Sequence, residues 1–445
     1  MSNNGRAAEV ATVSDAVETA LKYVRAAGVQ GAVAASVDDG TSVGCRMQTL
    51  ETLEFHRSQQ LSVTVFDQSC KGSASTAELS DAAIKETVDA ALRIAKYTSE
   101  DECAGLADAA LMATDIKDMQ LFHPYELNAE EAIATVLECE KAALDHAPEI
   151  KNSEGANINA FAGTGAYGNT HGFMQATSGT SYSLSCSVIA EDRQGMQRDY
   201  WYSSDRDIAR LEAAKVVGVS AASRAVRRLS PRKLTTRQAP VIFSADIAKS
   251  LIGHLCSALA GTAIYRDASF LLDQVGEKIL PENISIHEDP HLVRGHKSAS
   301  YDREGVATKK SYIVEDGKIS RYLLSSYAAR RLGLETTANA GGTRNIRITH
   351  GEKTLDELMR EMGTGLLATE LIGQGVNNVT GDYSRGVAGF WVENGELAYP
   401  VEELTIAGNL RDMFEGLIEI GVDTDTRGNV HSGSWLLDDL TIAGA

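Results

Sequence analysis

Two stretches of this 445-residue chain carry residue types at spacings that could support hydrolysis. In Ser244–Gly261, His254 and Cys256 sit within an apolar segment. The second stretch, His287-Glu-Asp-Pro-His291, fits HExxH letter for letter. That motif works on a continuous helix, which turns both imidazoles toward one zinc ion and the Glu toward its bound water. Pro290 opposes such a helix, because it disfavours helix at Asp289 and clashes with the preceding turn. The alternation Ile284-Ser-Ile286 reads as a strand instead. His287, His291, His296 and His431 are left as loop ligands that an independent zinc hydrolase would need, but no carboxylate/His set among them has zinc spacing.

Gly163-Thr-Gly-Ala-Tyr-Gly168 fits GxGxxG. A dinucleotide site needs a helix after this motif, and Asn169-Thr-His-Gly172 reads as a turn, so the stretch is assigned to a hairpin. There is no GxSxG elbow. Cys256 reads as a small packed hydrophobe. The six cysteines are scattered without a CxxC pair, as free thiols in a reducing compartment are.

The elements that must position these residues follow from periodicity. Val241-Ile-Phe243 reads as a buried strand, Ser244 as a helix cap, and Gly261 as the stop. Ile247, Leu251, Leu255 and Leu259 make one apolar stripe, with His254 at its edge. Upstream, Val10–Ala27 has a helical period. Short strands then follow, the first closing at an Asp39-Gly40 hairpin turn. Ser80 caps a second helix, and Asn128-Ala-Glu-Glu131 is a capping box for a third. Residues 150–204 alternate like strands, and Asp207–Arg228 is helical. Beyond Ala239 the chain reads as strands and turns, except for Thr354–Met362, which opens with a capping box and closes at Gly363. The expected fold is α+β: helices on an antiparallel sheet over residues 1–230, then a mainly β domain over 231–445 that contains the helix 244–261.

Net charge is −19, which argues against a nucleic-acid footprint. No apolar run is long enough to span a bilayer and no cleavable leader is visible, so the expected location is the cytoplasm. The cations Arg224, Arg227, Arg228, Arg232, Lys233 and Arg237 cluster around Pro231. They read as an exposed linker after a helix C-terminus, or as an anionic-partner patch on a regulatory binding protein.

Longer motifs add a resemblance. Gly381-Asp-Tyr-Ser-Arg-Gly386, Gly389-Phe-Trp-Val-Glu-Asn-Gly395, Tyr399-Pro-Val401 and Leu404-Thr-Ile-Ala-Gly-Asn409 resemble the TldD/PmbA family. So do Asn339-Ala-Gly-Gly-Thr-Arg-Asn345, Lys71-Gly-Ser-Ala-Ser75 and the Ser-Pro-Arg-Lys at 230–233. The resemblance covers essentially the whole chain and is nearest to the PmbA (TldE) branch. It implies a heteromeric zinc peptidase acting on unfolded peptides. The TldD-type partner carries HExxxH on the matching helix and a Cys ligand near its C-terminus. Carried over residue by residue, the first His falls on Ile252, the Glu on Gly253, the second His on Ser257 and the Cys near Ser432. Ile and Gly cannot ligate zinc or take a proton, and Ser is a poor zinc ligand.

The resemblance therefore implies a non-catalytic subunit with no metal of its own and zinc in the TldD-type partner. Such a chain would help to form the cleft around an extended peptide, with no nucleic acid and no membrane involved. Its isolated form could pair with itself. His254, Asp382, Ser384 and Arg385 are the expected cleft residues. A turn-fixing Asp382–Arg385 pair is the plainer reading of the last three.

Overall fold

The computed structural model describes residues 3–444. The first part of the chain runs α1 (Asn3–Ala26), β1 (Gln30–Arg46), β2 (Thr49–Asp67), β3 (Cys70–Thr76), α2 (Asp81–Ala95), α3 (Ala129–Leu144), β4 (Ile150–Asn169), β5 (Met174–Asp192), β6 (Gly195–Asp205) and α4 (Ala214–Arg227). Its strands form one antiparallel sheet in the order β3-β2-β1-β4-β5-β6. The four helices cover one face. Val33, Ala35 and Val37 pack with Leu61, Val63 and Val65 beneath Val13, Val17 and Leu21 of α1 and Ile84 and Val88 of α2. Each Val or Leu fully buried there contributes roughly 1.5–3 kcal/mol. The opposite face carries short side chains. Ser36 stands opposite Gly165 and Gln60, and Gly165 opposite Thr177, because directly paired residues share a face.

The expected chain of short strands is instead a set of long ones. Asp39-Gly40 is not a turn but lies mid-strand in β1. Gly40 is needed there because its cross-strand partner His56 lays its ring over it; a Cβ would meet His56 Cε1 at 1.9 Å. The turn falls at Met47-Gln48, both with positive φ (48° and 60°). Its amides donate to the buried carboxylate of Glu140 on α3, at 2.8 and 2.6 Å. Asn128 makes only the forward half of its capping box, accepting from Glu131 N at 2.8 Å, while Glu131 accepts from the Tyr125 hydroxyl. Asp207 opens a single turn, Ile208–Arg210, and α4 starts only at Ala214.

The rest runs β7 (Arg237–Phe243), α5 (Ala245–Ala258), α6 (Gly261–Ile264), β8 (Ile286–Asp289), β9 (Ser311–Glu315), β10 (Lys318–Ile319), α7 (Ser326–Leu332), β11 (Asn345–Ile348), α8 (Leu355–Met362), β12 (Gly365–Ile372), β13 (Asp382–Glu393), β14 (Glu396–Asn409), α9 (Leu410–Glu415), β15 (Leu417–Ile420), β16 (Val430–His431) and β17 (Trp435–Ala443). A mixed sheet, β14-β13-β12-β7-β17-β15, supports α5, and a smaller one, β10-β9-β8-β11-β16, lies beside it. The α+β class is as expected. Thr354 and Glu357 make the complete capping box. Three short helices escaped the pattern: α6, α7 and α9 are at most seven residues long, too short for a helical period to show. Gly261 begins α6 rather than stopping α5, and it must be glycine because a Cβ there would strike Ala328 Cβ at 2.5 Å.

The basic segment 224–237 is engaged within the chain. Arg224 binds Asp199 and Asp246 (3.1 and 3.2 Å), and Arg228 binds Glu370 at 2.5 Å. Lys233 reaches Glu403 at 2.8 Å. Arg227, Arg232 and Arg237 lie over the rings of Phe390, Tyr399 and Trp391. These contacts fasten α4 and β6 to the C-terminal sheet.

Candidate functional site

The helix α5 is built as its sequence dictates. Val241, Ile242 and Phe243 are wholly buried, and the chain turns where Ser244 N donates to Ala368 O at 3.0 Å. Ser244 does not cap the helix with its side chain; its hydroxyl donates to the Asp246 carboxylate instead. Ala248, Leu251, Ile252, Leu255 and Ala258 form the buried face. α5 packs against β16. Lys249 Nζ pairs with Asp425 Oδ2 at 3.1 Å, and Asp425 bridges to Ser432. Burial opposes the Asp425 charge, but Arg427 and Lys249 outweigh it and hold the carboxyl down at about 2. The helix and the Ser432 segment are thus brought together.

None of the four positions matched to zinc chemistry supplies it. Ile252 is fully buried in the apolar core. Gly253 is exposed, with nothing within 4 Å of where a Cβ would stand. Ser257 is exposed and donates to Gly253 O at 2.8 Å. Ser432 is buried, accepts from Trp435 Nε1 at 2.7 Å and donates to Gly433 O at 3.1 Å. Among the described residues no three His, Cys, Asp or Glu side chains gather as a metal site requires. Burial pushes the Cys256 thiol up to about 12, so it is no ready nucleophile.

His254, Tyr383 and Arg385 meet where α5 faces the start of β13. The His254 and Tyr383 rings are edge-on at 6.1 Å. Burial, and then Arg385, lower the His254 pKa, and burial raises Tyr383 to about 12. His254 Nε2, Tyr383 Oη and Arg385 Nε are buried and complete no hydrogen bond among the described residues. Asp382 and Ser384 face the other way and are exposed. Asp382 accepts from Thr380 Oγ1 at 2.6 Å, and no Asp382–Arg385 ion pair exists among the described residues. The turn-fixing pair, one of the two readings of these residues, is therefore not formed, because alternation along β13 puts the two side chains on opposite faces.

The HExxH match is structural. His287 and Glu288 lie in β8, paired in register with Arg347 and Ile346 of β11. Glu288 is buried and accepts from Arg321 Nη2 (2.7 Å), Asn339 Nδ2 (3.1 Å) and Arg344 N. Its charge is matched by Arg321 and its oxygens are taken up by donors of the fold, which is a structural role. His291 Nε2 meets Thr308 Oγ1 at 3.3 Å, and His431 Nε2 meets Gly428 O at 3.1 Å. Burial lowers the pKa of His287, His291, His296 and His431 alike. The GxGxxG match lies along β4, ahead of the turn to β5.

One feature escaped the sequence reading. A cavity of about 780 Å³ opens between the short-chained face of the first sheet and the segments 301–304 and 344. Ser36, Ser62 and Thr64 form its floor, and Tyr301, Arg303 and Arg344 its opposite wall. It shares Phe66, Lys71, Gly105 and Glu304 with a neighbouring hollow of about 820 Å³. Lys71 and Arg344 both stand in stretches that carry the family resemblance, a signal that could have marked them.

Comparison with known proteins defines the class. PmbA/TldA metallopeptidase domain 1 matches residues 32–95, the central domain 122–229 and the C-terminal domain 236–444. The chain belongs to the PmbA/TldD family of metallopeptidases. Within it, the chain falls in the PmbA branch. It is 48% identical to Metalloprotease PmbA of Escherichia coli, over 97% of this chain and 96% of that one. It is 46% identical to the PmbA homologue of Haemophilus influenzae, over 97% and 95%. A Bacteroides thetaiotaomicron crystal structure, described as a candidate modulator of DNA gyrase, superposes with a TM-score of 0.91 at 26% identity, covering 97% of this chain and 98% of that one. TldE of Thermococcus kodakarensis shares the fold, with a TM-score of 0.84 at 18% identity over 96% and 100%.

Proposed function

We propose that this chain is the non-catalytic, TldE-type subunit of a heteromeric cytoplasmic peptidase whose TldD-type partner holds the zinc. The complex processes or degrades unfolded peptides, and this chain completes the cleft that encloses them. One observation carries the reading. Lys249–Asp425 holds α5 against the Ser432 segment, and the four positions that the resemblance matches to the partner's ligands and base are a core Ile, an open Gly, a Ser bonded to its own helix and a Ser bonded to Trp435. No metal-held water or general base can be assembled from that set.

An extended peptide can bind by main-chain hydrogen bonds to a strand edge, which gives sequence tolerance. His254 and Arg385 belong to the α5 side of that cleft, whereas Asp382 and Ser384 contribute from its exposed rim. The independent zinc hydrolase and the anion-binding regulator gain no support. The histidines that the first needs do not gather among the described residues, and the cations that the second needs are bound within the chain.

The test is assembly. The chain is mixed with a TldD-type protein and followed by analytical ultracentrifugation. A stable heteromer, displacing any self-association of the isolated chain, is the predicted result. Two non-interacting species would refute the proposal.

A further inference from the structure

The cavity over the short-chained sheet face contains an imbalance of charge. Its acids are engaged by backbone. Asp302, which is buried, accepts through Oδ1 from Glu304 N and Val306 N (2.8 and 3.0 Å) and through Oδ2 from Ala340 N (3.1 Å). Glu304 Oε2 accepts from Ser326 N at 2.9 Å. Its cations have no such partners. Among the described residues the Arg344 guanidinium makes no hydrogen bond or ion pair, and its Nε is buried. It senses Asp302 and Glu288 only through space. The side-chain charges of Arg303 and Lys71 are likewise without a bonded partner among the described residues.

This is unexpected in a chain with 61 acidic and 42 basic residues, in which Arg224, Arg228, Arg321 and Arg427 all find carboxylates. A partly buried guanidinium without an anion is costly, and native chains pair or solvate such a charge. The three cations come from three separate segments and converge on one hollow. The fold also fixes one of them. Arg303 N donates to Ala340 O at 3.1 Å, and the Arg303 stem lies over Gly341, where a Cβ would meet Arg303 Cδ at 2.7 Å. Gly341 has φ +88°, so a side chain there would be strained as well as crowded. Across the hollow, Ser36, Ser62, Thr64 and Gly165 leave room for a peptide backbone.

We propose that this cavity is a carboxylate subsite, in which an extended peptide lying on the open face of β1 and β4 sets an acidic side chain or its C-terminal carboxylate against Arg344, Arg303 and Lys71. The inference rests on the proposed peptide-cleft function. The guanidinium fork takes a carboxylate in two parallel hydrogen bonds, and the hydroxyl floor with its open strand face suits the peptide chain that carries it rather than a free phosphate.

The test uses the full-length chain alone and reads binding by fluorescence anisotropy, so it needs neither zinc nor activity and can fail independently of the subunit proposal. Three labelled, unstructured peptides are compared: one with Asp and Glu side chains and an amidated end, one neutral with a free C-terminal carboxylate, and one neutral and amidated. At least one carboxylate peptide is expected to bind about ten- to a hundred-fold more tightly than the neutral amidated one, and which of the two does so identifies the source. Arg344→Gln should remove that preference. Arg303→Gln, at an exposed position, should reduce it several-fold in a chain whose fold is undisturbed. Equal affinity for all three peptides, a preference untouched by Arg303→Gln, or inorganic phosphate competing as strongly as the carboxylate peptides would overturn the proposal.

Discussion

The indole N–H of Trp435 donates to the Ser432 hydroxyl at 2.7 Å, so the position matched to a zinc-binding thiolate is part of a buried structural hydrogen bond. Ser432→Ala would leave that N–H without an acceptor in the core, at a cost of about 1–3 kcal/mol. Urea unfolding should show the loss, while the peptidase activity of the assembled pair stays unchanged per folded molecule. Ser432→Cys should bring no zinc into this chain, because Ile252 and Gly253 provide no companion ligands.

Glu288 separates the structural and catalytic readings of His287-Glu-Asp-Pro-His291. Glu288→Gln removes the charge facing Arg321, whose side chain is only 15% exposed. Breaking one side of such a pair costs about 3–5 kcal/mol. The predicted outcome is a lower urea midpoint with unchanged activity per folded pair. A stable but inactive variant would restore the catalytic reading.

The arginines of α4 give a third prediction. Arg228→Gln leaves Glu370, whose side chain is 39% exposed, without its partner, while Asp199 keeps its pair with Arg224. The cost should be modest, about 1 kcal/mol. Sedimentation at a temperature where the variant remains folded should show normal association with the TldD-type partner. Lost association in a folded variant would favour the regulatory reading.

Asp425 sets a pH dependence. Its carboxyl is depressed to about 2 in the folded chain, below its ordinary value. A depressed acid stabilises the fold above its unfolded pKa, and that contribution disappears as pH falls through the folded pKa. The stability gap between the native chain and Asp425→Asn should therefore be full at neutral pH, about 2 kcal/mol, and close between about pH 4 and pH 2. A gap that is constant over this range would mean that the contacts of Asp425 with Arg427 and Lys249 do not carry it.

What was legible in the sequence was the strongly periodic and the locally capped. α5 declared itself through Leu251, Leu255 and Leu259, and α8 through its Thr354 capping box. That Ile252 and Gly253 offer no zinc ligand or base was legible because they are chemically inert whatever their surroundings. What failed depends on distant partners. Asp39-Gly40 has turn chemistry, yet its glycine serves the His56 ring across the strand, and the real turn at Met47-Gln48 is held by Glu140, more than ninety residues away. Gly261 looked like a helix stop and instead makes room for Ala328. The cations of 224–237 looked exposed until the folded chain supplied Asp199, Glu370 and Glu403. Lys71, Arg303 and Arg344 are far apart in sequence and become one cluster only when the first sheet meets the 301–304 segment.

The most direct test of the central claim is zinc content and peptidase activity measured side by side on this chain, on a TldD-type chain and on the purified pair. The account predicts that zinc is stoichiometric in the TldD-type chain and the pair and absent from this chain, and that unfolded peptide is cleaved by the pair and not by this chain alone. Stoichiometric zinc with chelator-sensitive cleavage in this chain by itself would contradict it.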